Sequence, residues 1–382
     1  MSASDPLNDI IFITLPDSPP TQSGEFSFDP TIALPVQLPE GSTTIEADSG
    51  LRIEQIAAGL IKVIAHNSSH ANFDYYCDLL LALQPDVVHE LHTAAVAKAQ
   101  TEDEQFAEEL FLAAVHLNPH IAELYVNLGI LYGQQARKAR DANQQHVYDE
   151  AITKQMDTLR KGLEVLPYSE LLLKESGMLN LFLGNDEIAY EQLNAYLAQA
   201  KDSEEKELIA KKVEELGSQI EDEQTLQAAF DEMQLGNEEQ ALRLATTYAT
   251  NNPRLWSGFF LQGWALRRLG RYQEAQSAFL RCLELGEQNA DIYNELSICA
   301  LELGERQLSQ EYLEIALELD EESVKLISNL AFLKLEEQQY QEVQHLLNRG
   351  LALDAQDPAL LYIQKELNKR TGTFEEDDVI DA

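Results

Sequence analysis

The sequence predicts an all-α protein, an α-solenoid of stacked helical hairpins, and three observations carry that expectation. Units of 34 residues can be laid end to end from 222, 256, 290 and 324, and from 54, 88 and 122, with one more starting at 170. The eighth position of these units holds Ile61, Ala95, Gly129, Gly177, Ala229, Gly263, Ser297 and Ala331, small in seven of eight cases. Glycine then stands where the first helix must stop in four of the units, at Gly184, Gly236, Gly270 and Gly304, as a left-handed C-terminal cap requires. A fixed period of this length marks an architecture in which each unit buries its apolar face only against its neighbours. The expected fold is a superhelix of about eight hairpins with a C-terminal capping helix and a disordered N-terminal tail.

Residues 1–50 open the chain with seven of its twelve prolines, all within 1–39, a composition that predicts a disordered Pro-rich tail. Two β-branched pieces interrupt it, IIFITLP at 10–16 and TIALPVQLP at 31–39. Both favour extended backbone and read either as incidental sticky stretches or as a docking peptide, in trans or in cis, the latter as a pseudo-ligand in the groove of the same array.

An N-terminal array is expected over 51–203. Within it, LYVNLGILYG (124–133) places Leu124, Leu128, Leu131 and Tyr132 at helical spacing around an interior glycine, Gly129. Glycine there costs about 1 kcal/mol relative to alanine, so a helix crossing too close for a Cβ is expected to offset it. Position 20 of the units, on the second helix, reads Phe73, Ala107, Gln155, Ala189, Ala241, Ala275, Ser309 and Val343, and proline closes four units at Pro85, Pro119, Pro167 and Pro253. The unit 122–169 carries an insertion at about 134–150 with no glycine or proline after Gly133. Both of its helices are expected to run on by about two turns, roughly 10 Å, to a tip holding Arg137, Lys138 and Arg140. Residues 204–221 predict an extra amphipathic helix with Leu208, Ile209, Val213 and Leu216 on one side. A C-terminal array follows over 222–357, then a capping helix at 358–370 with apolar Leu360, Leu361, Ile363 and Leu367, and an acidic tail at 371–382.

This pattern resembles the tetratricopeptide repeat (TPR) family, whose period is 34 and whose signature runs from a large residue through Leu-Gly to Tyr, Ala, Phe and Pro. The carriers are Tyr125, Leu128, Gly129, Tyr132, Leu159 and Pro167, then Phe259, Gly263, Tyr272, Ala275 and Phe279 in the unit from Trp256, then Tyr293, Leu296, Leu313 and Ala316. The resemblance covers about 54–370. It implies a right-handed superhelix whose first helices line a concave groove, mainly through positions 2, 5, 9, 12 and 13. Position 9 carries over to Lys62 and then to seven apolar residues, Val96, Ile130, Met178, Phe230, Trp264, Ile298 and Phe332. Position 12 adds Leu181, Met233, Leu301 and Leu335. Arg267 and Arg268 map to positions 12 and 13 and, with Asn294, complete the implied partner-binding set. Two readings of the position-9 row stay open: a stripe that binds a peptide, and residues half-buried between neighbouring helices. Members that grip the C-terminal carboxylate of chaperones use Lys, Arg and Asn in a fixed pattern across three first helices. That pattern does not recur here, so such a clamp is not expected, while a single carboxylate or phosphate contact stays open.

Charge narrows the partner. Acidic residues number 66 against 27 basic, a formal net charge of −39, which repels nucleic acid and anionic lipid and favours a basic or apolar protein or peptide partner. An acidic surface that merely keeps an elongated protein soluble explains the same balance. No run of 18 apolar residues occurs and the N-terminus lacks a basic and apolar leader, so neither membrane insertion nor export is expected. Cys77, Cys282 and Cys299 are too scattered for a disulfide framework or a zinc site and suit a reducing, cytoplasmic setting.

Phosphate-binding glycine loops, nucleophile elbows and paired metal motifs are absent from the sequence. His66/His70 and His89/His92 have spacings that arise by chance, and HNSSH reads as the end of a helix, so no metal and no cofactor are expected. The function that follows is a non-enzymatic protein–protein interaction scaffold, with an assembly or holding chaperone as the alternative.

Overall fold

Helix follows helix at the predicted period. The computed structural model describes residues 6–15, 22–23, 26–39, 51–101 and 103–372. The chain divides into two units, Met1–Gly217 and Ser218–Ala382. Eight helical hairpins fall among the described residues, which makes the fold all-α and of solenoid type.

In the first unit the hairpins are α1/α2 (Ile53–His66, Phe73–Leu83), α3/α4 (Val87–Gln100, Glu104–Leu117), α5/α6 (Ala122–Asp141, Gln145–Val165) and α7/α8 (Glu170–Leu183, Asp186–Leu197). The inserted residues lengthen α5 and α6 to 20 and 21 residues, against 14 each in α3 and α4. At their tip Lys138 reaches Glu104 at 2.7 Å, Arg140 lies 3.8 Å from Asp141, and Arg137 is exposed. The next helix, α9, runs unbroken from Glu204 to Leu235. Of the two roles open to the amphipathic helix expected at 204–221, lengthening a repeat helix or shifting the superhelix, the structure has the first: these residues are the start of a repeat helix. A single interior glycine, Gly217, is too small a penalty to break it, and a Cβ there would stand 2.7 Å from Tyr190 Cε2. Ile209, Val213 and Leu216 are buried as expected, whereas Leu208 faces solvent.

In the second unit, the end of α9 pairs with α10 (Glu238–Asn251), followed by α11/α12 (Trp256–Arg268, Tyr272–Glu284), α13/α14 (Ala290–Glu302, Arg306–Leu319) and α15/α16 (Val324–Glu336, Tyr340–Leu353). A last helix, α17 (Pro358–Thr371), closes the stack. Asp357 caps it by accepting from the Leu360 backbone N–H at 2.8 Å, with Pro358 in the first turn where no N–H is needed. Leu360, Ile363 and Leu367 are buried in the terminal core beside Leu347, while Leu361 stays outside.

Small residues at position 8 admit a large side chain from position 24 of the partner helix. A Cβ on Gly177 would lie 2.7 Å from Leu193 Cγ, and one on Gly263 would lie 2.8 Å from the Phe279 ring. Gly129 is different. Its nearest neighbour, Leu159 Cδ2, would stand 3.4 Å from a Cβ, an ordinary contact, so the crossing there is looser than its glycine suggested.

The N-terminal segment departs most from expectation. Residues 10–13 and 34–37 are not disordered: they form β1 (Ile10–Ile13) and β4 (Leu34–Gln37), paired antiparallel with Ile10 opposite Gln37 and Ile13 opposite Leu34. A second short pair joins β2 (Gln22–Ser23) and β3 (Phe26–Ser27). β4 lies on α1 at Gly59, where a Cβ would run into the Pro35 carbonyl and stand 2.8 Å from the Val36 nitrogen. Leu34, Val36 and Leu38 are buried. Both Asp9 carboxylate oxygens accept from Lys62 Nζ at 2.8 Å, Tyr76 donates to the Ala33 carbonyl at 2.7 Å, and Phe12 stacks on His70 at 5.3 Å. Burial opposes ionisation of Asp9, but Lys62 and Gln37 outweigh it and hold the carboxyl below its usual range. Proline-rich composition misled because it averages over the segment, whereas the fold uses two short stretches, one of which buries Leu34, Pro35 and Val36 in succession. Within the first unit the two stretches pack as a strand pair on α1, and their link to position 9 is Lys62. The rest of the expected tail (1–5, 16–21, 24–25, 40–50) and the acidic tail past Gly372 lie outside the described residues.

Two glycine substitutions separate these packing regimes. Gly59→Ala should lower stability by about 1–3 kcal/mol through overpacking against the β4 backbone. Gly129→Ala should be neutral or raise it by up to about 1 kcal/mol through helix propensity. Urea unfolding followed by circular dichroism checks both, and equal effects of the two would contradict the packing described.

Candidate partner-binding face

The first helices of each hairpin carry the row at position 9, and each unit holds its own part. In the second unit Phe230, Trp264, Ile298 and Phe332 come from α9, α11, α13 and α15. Phe230 is 43% and Phe332 42% exposed, while Trp264 and Ile298 are half-buried. The Phe230 and Trp264 rings meet with centroids 6.0 Å apart, tilted by 49°. Trp264 also packs on the cores formed by Ala229, Ala245 and Leu261 and by Met233, Ala241 and Ala265. Phe230 and Trp264 pack on each other between α9 and α11, and all four side chains of the row keep part of their surface exposed. In the first unit Ile130 and Met178 are exposed to a similar degree and Val96 is half-buried.

Position 12 behaves otherwise. Met233 and Leu335 are fully buried and Leu181 and Leu301 partly so, so this position mainly fills the core. Sequence reasoning missed Phe182, which is 63% exposed. Its signal was available: it lies four residues beyond Met178, on the same helical face. Lys174, a further turn back, reaches Glu205 on α9 at 3.1 Å, close to the exposed Leu208.

The polar residues expected on the face are already engaged. Arg267 is ion-paired with Glu295 on the next first helix, and Arg268 with Glu238 at 2.7 Å. Asn294 is fully buried, and its Oδ1 accepts from Asn329 Nδ2 at 2.8 Å. Both guanidinium groups are thus ion-paired within the fold, and Asn294 Nδ2 is buried without a hydrogen-bond partner. One stacking relation explains two of these contacts. Position 5 of one first helix meets position 6 of the next, so Asn294 meets Asn329 as His92 meets Asn127 at 2.7 Å. Position 6 also faces position 12 of the preceding first helix, which sets Glu295 against Arg267. Lys325 lies 3.6 Å from Asp291, and Glu336 is bound by Arg370 at 2.7 Å. Glu223 (position 2) and Glu302 (position 13) are exposed and have no ion pair among the described residues.

Histidines and thiols offer no assembled chemistry. His66 contacts Glu109 at 3.2 Å, His70 accepts from the Asn72 N–H and stacks on Phe12, and His92 meets Asn127. Among the described residues no three His, Cys, Asp or Glu side chains gather as a metal set. Burial pushes the Cys77 thiol up to about 11 and those of Cys282 and Cys299 up to about 12, far from nucleophilic thiolates. Among the described residues no helix is long and apolar enough to cross a membrane.

Stacked hairpins with a half-exposed apolar row along their first helices define a helical-repeat protein. Residues 256–289 match the model of the tetratricopeptide repeat family, and the hairpins on either side of that unit follow the same helix–turn–helix period. Such repeats generally serve as non-enzymatic scaffolds for protein–protein interaction. Solved structures similar to it include a thermophilic TPR protein from Thermus thermophilus, at 19% identity over 52% of this chain and 99% of that one, TM-score 0.35. MamA from Desulfovibrio magneticus, resolved from residue 41 to its end, is 16% identical over 49% of this chain and 97% of that one, TM-score 0.34. A tetratricopeptide repeat protein from Parabacteroides merdae is 14% identical over 74% of this chain and 99% of that one, TM-score 0.33. No curated protein matches the sequence.

The Arg267–Glu295 pair has a pH signature. Burial raises the Glu295 carboxyl above its usual range, with Arg267 opposing. The folded chain thus keeps this proton to higher pH than the unfolded chain. The group's contribution to stability is full below the ordinary glutamate pKa and is lost as pH rises through the raised value. Thermal unfolding of wild type and Glu295→Gln should coincide in acid, and the wild type should fall behind the variant as pH rises towards neutrality. A wild type that gains on the variant over that range would contradict this.

Proposed function

We propose that the chain is a non-enzymatic protein-interaction scaffold of a cytoplasmic setting, holding a peptide or protein segment of apolar or basic character along its first helices. The observation that carries this reading is the in-register row of Phe230, Trp264, Ile298 and Phe332. Single exposed apolar residues are ordinary on any protein surface. Four at the same position of four successive units are a continuous feature, and such patches mark interaction sites. Val96, Ile130 and Met178 provide a shorter counterpart in the first unit. Arg267, Arg268 and Asn294 act behind the face, holding first helices in place. The negative field disfavours nucleic acid, and three free thiols suit a reducing compartment.

A second reading, an assembly or holding chaperone, is favoured by one observation: Phe182 and Leu208 are 63% and 71% exposed, more than a scaffold needs for a single register. Client behaviour separates the two. A chaperone suppresses aggregation of a substrate it then releases, whereas a scaffold forms a stable complex of fixed stoichiometry.

Affinity capture with the full chain beside a Phe230→Ala, Trp264→Ala variant tests the face. The variant should lose at least tenfold of the specifically retained partner while keeping its helical circular dichroism. Identical recoveries from a folded variant would remove the face from consideration.

A further inference from the structure

Position 11 of a first helix lies away from the row at position 9, since two residues along a helix are about 200° apart round its axis. In α5 this position is Tyr132. Its ring is buried with Lys154 Nζ 5.5 Å from the centroid, and its hydroxyl donates to Glu108 Oε1 at 2.8 Å. Lys154 stands at position 19 of the same hairpin, on α6, and Glu108 at position 21 of the preceding one, on α4. Lys334 holds position 11 of α15, buried and ion-paired with Glu314 on α14 and Glu342 on α16. In both hairpins a long side chain with a polar end fills the space between two successive second helices.

In α7 the same position is Asn180, and the two residues corresponding to the neighbours of Tyr132 differ with it. Position 21 of the preceding second helix is Met156 where the earlier hairpins have Glu108, and position 19 of α8 is Ile188 where α6 has Lys154. A short amide and two apolar side chains thus stand where the previous site has a phenol ring, a carboxylate and an ammonium. Met156 is 38% and Ile188 49% exposed. They edge a cavity of about 380 Å³ between α6 and α8, with α7 as its floor; an apolar cavity of about 150 Å³ is enough to take up benzene.

Asn180 is held back from this space by its own hydrogen bonds. Its Nδ2 donates to the Ser176 carbonyl at 3.0 Å and to Gln192 Oε1 at 3.2 Å, and its Oδ1 accepts from Asn185 Nδ2 at 3.0 Å. Leu163 and Leu179 add apolar wall, and Gln192 Nε2 is a donor that makes no hydrogen bond among the described residues. Arg160 at the rim is held by Asp157 at 3.0 Å and Glu164 at 2.7 Å. One cation against two carboxylates disfavours an anionic ligand.

We infer that this cavity binds an uncharged aromatic ring bearing one hydrogen-bonding group, a phenol in chemical class, supplied from outside the chain. The ring takes the place that Tyr132 fills in the preceding hairpin, beside Met156, Leu179 and Ile188, and its hydroxyl oxygen accepts from Gln192 Nε2. Two sources share this chemistry, the tyrosine side chain of a partner and a free small phenol. The site stands apart from the row at position 9 and does not depend on it.

Methyl NMR of the full chain, labelled at methionine and isoleucine, tests this with two probes. One is p-cresol, the tyrosine side chain without its backbone; the other is a glycine–serine peptide with one central tyrosine. The Met156 and Ile188 methyls should shift saturably, with millimolar affinity for p-cresol as a fragment of that size allows. A peptide that binds at least as tightly as p-cresol assigns the ring to a partner's tyrosine, and a weaker one assigns it to a free phenol. Asn180→Tyr supplies the ring from the chain itself and should weaken both probes at least tenfold while raising the melting temperature. Ile188→Lys should weaken p-cresol about fivefold with helicity unchanged, and it keeps the test decisive if Asn180→Tyr fails to fold. The anionic analogue 4-methylbenzoate should bind at least tenfold more weakly than p-cresol. No shift at either methyl with either probe, undiminished binding to a folded Asn180→Tyr or Ile188→Lys, or equal binding of 4-methylbenzoate overturns the inference. The Phe230→Ala, Trp264→Ala variant should bind p-cresol as the wild type does; loss of binding there would place the ring on the row instead and overturn this site.

Discussion

The close approach of two helices within a hairpin is the constraint on which the rest depends. A side chain from position 24 of the second helix enters the space above position 8 of the first, as Leu193 does at Gly177 and Phe279 at Gly263. A larger residue at position 8 would push the pair apart and remove the flat sides against which the next hairpin stacks. The same contact fixes the rotation of the first helix. Each residue advances about 100° round the axis, so position 9 is turned from the hairpin partner towards the neighbouring first helices. Its half-exposure is thus a consequence of the packing at position 8.

Local signals were legible in the sequence. Gly184, Gly236, Gly270 and Gly304 adopt φ of 77°, 79°, 75° and 83°, the left-handed conformation that ends a helix at little cost only with glycine. Their meaning depends on nothing distant, which is why the period located them. Gly59 carried as strong a signal that the period could not interpret. It stands at position 6, where no other unit has glycine, and its reason is a strand from the proline-rich tail. A residue that recurs in kind with the repeat explains itself, whereas one that breaks the repeat needs a partner from outside it. Gly217 also breaks the repeat, and there the close neighbour is Tyr190 of the preceding hairpin.

Charge on the face was harder to read than its apolar row. Arg267 and Arg268 looked like free cations because their acids are far away in sequence, one on the next first helix and one on the preceding second helix. Helix stacking brings position 12 against position 6 of the following unit, and a carboxylate at that position is the predictable consequence. By that relation Glu295 was as visible as Arg267. Asn294 and Asn329 follow the same logic one position away, and their mutual hydrogen bond satisfies the buried Asn294 Oδ1 while its Nδ2 stays without a hydrogen-bond partner, a cost that burial imposes.

Internal neutralisation changes what the surface can discriminate. A cation held by a buried carboxylate contributes to the alignment of neighbouring first helices and is lost as a recognition group, so binding energy must come from apolar contact. The exposed carboxylates then act mainly on encounter rate and on the exclusion of wrong partners, the usual division between charge and affinity at interfaces. Screening by salt weakens that part within a Debye length of about 8 Å under physiological conditions and leaves the apolar contacts intact. On the function proposed above, a scaffold built like this would keep its hold on a bound segment across ionic strength while losing speed and selectivity, because the row at position 9 belongs to the fold and the charges that remain free belong to the solvent.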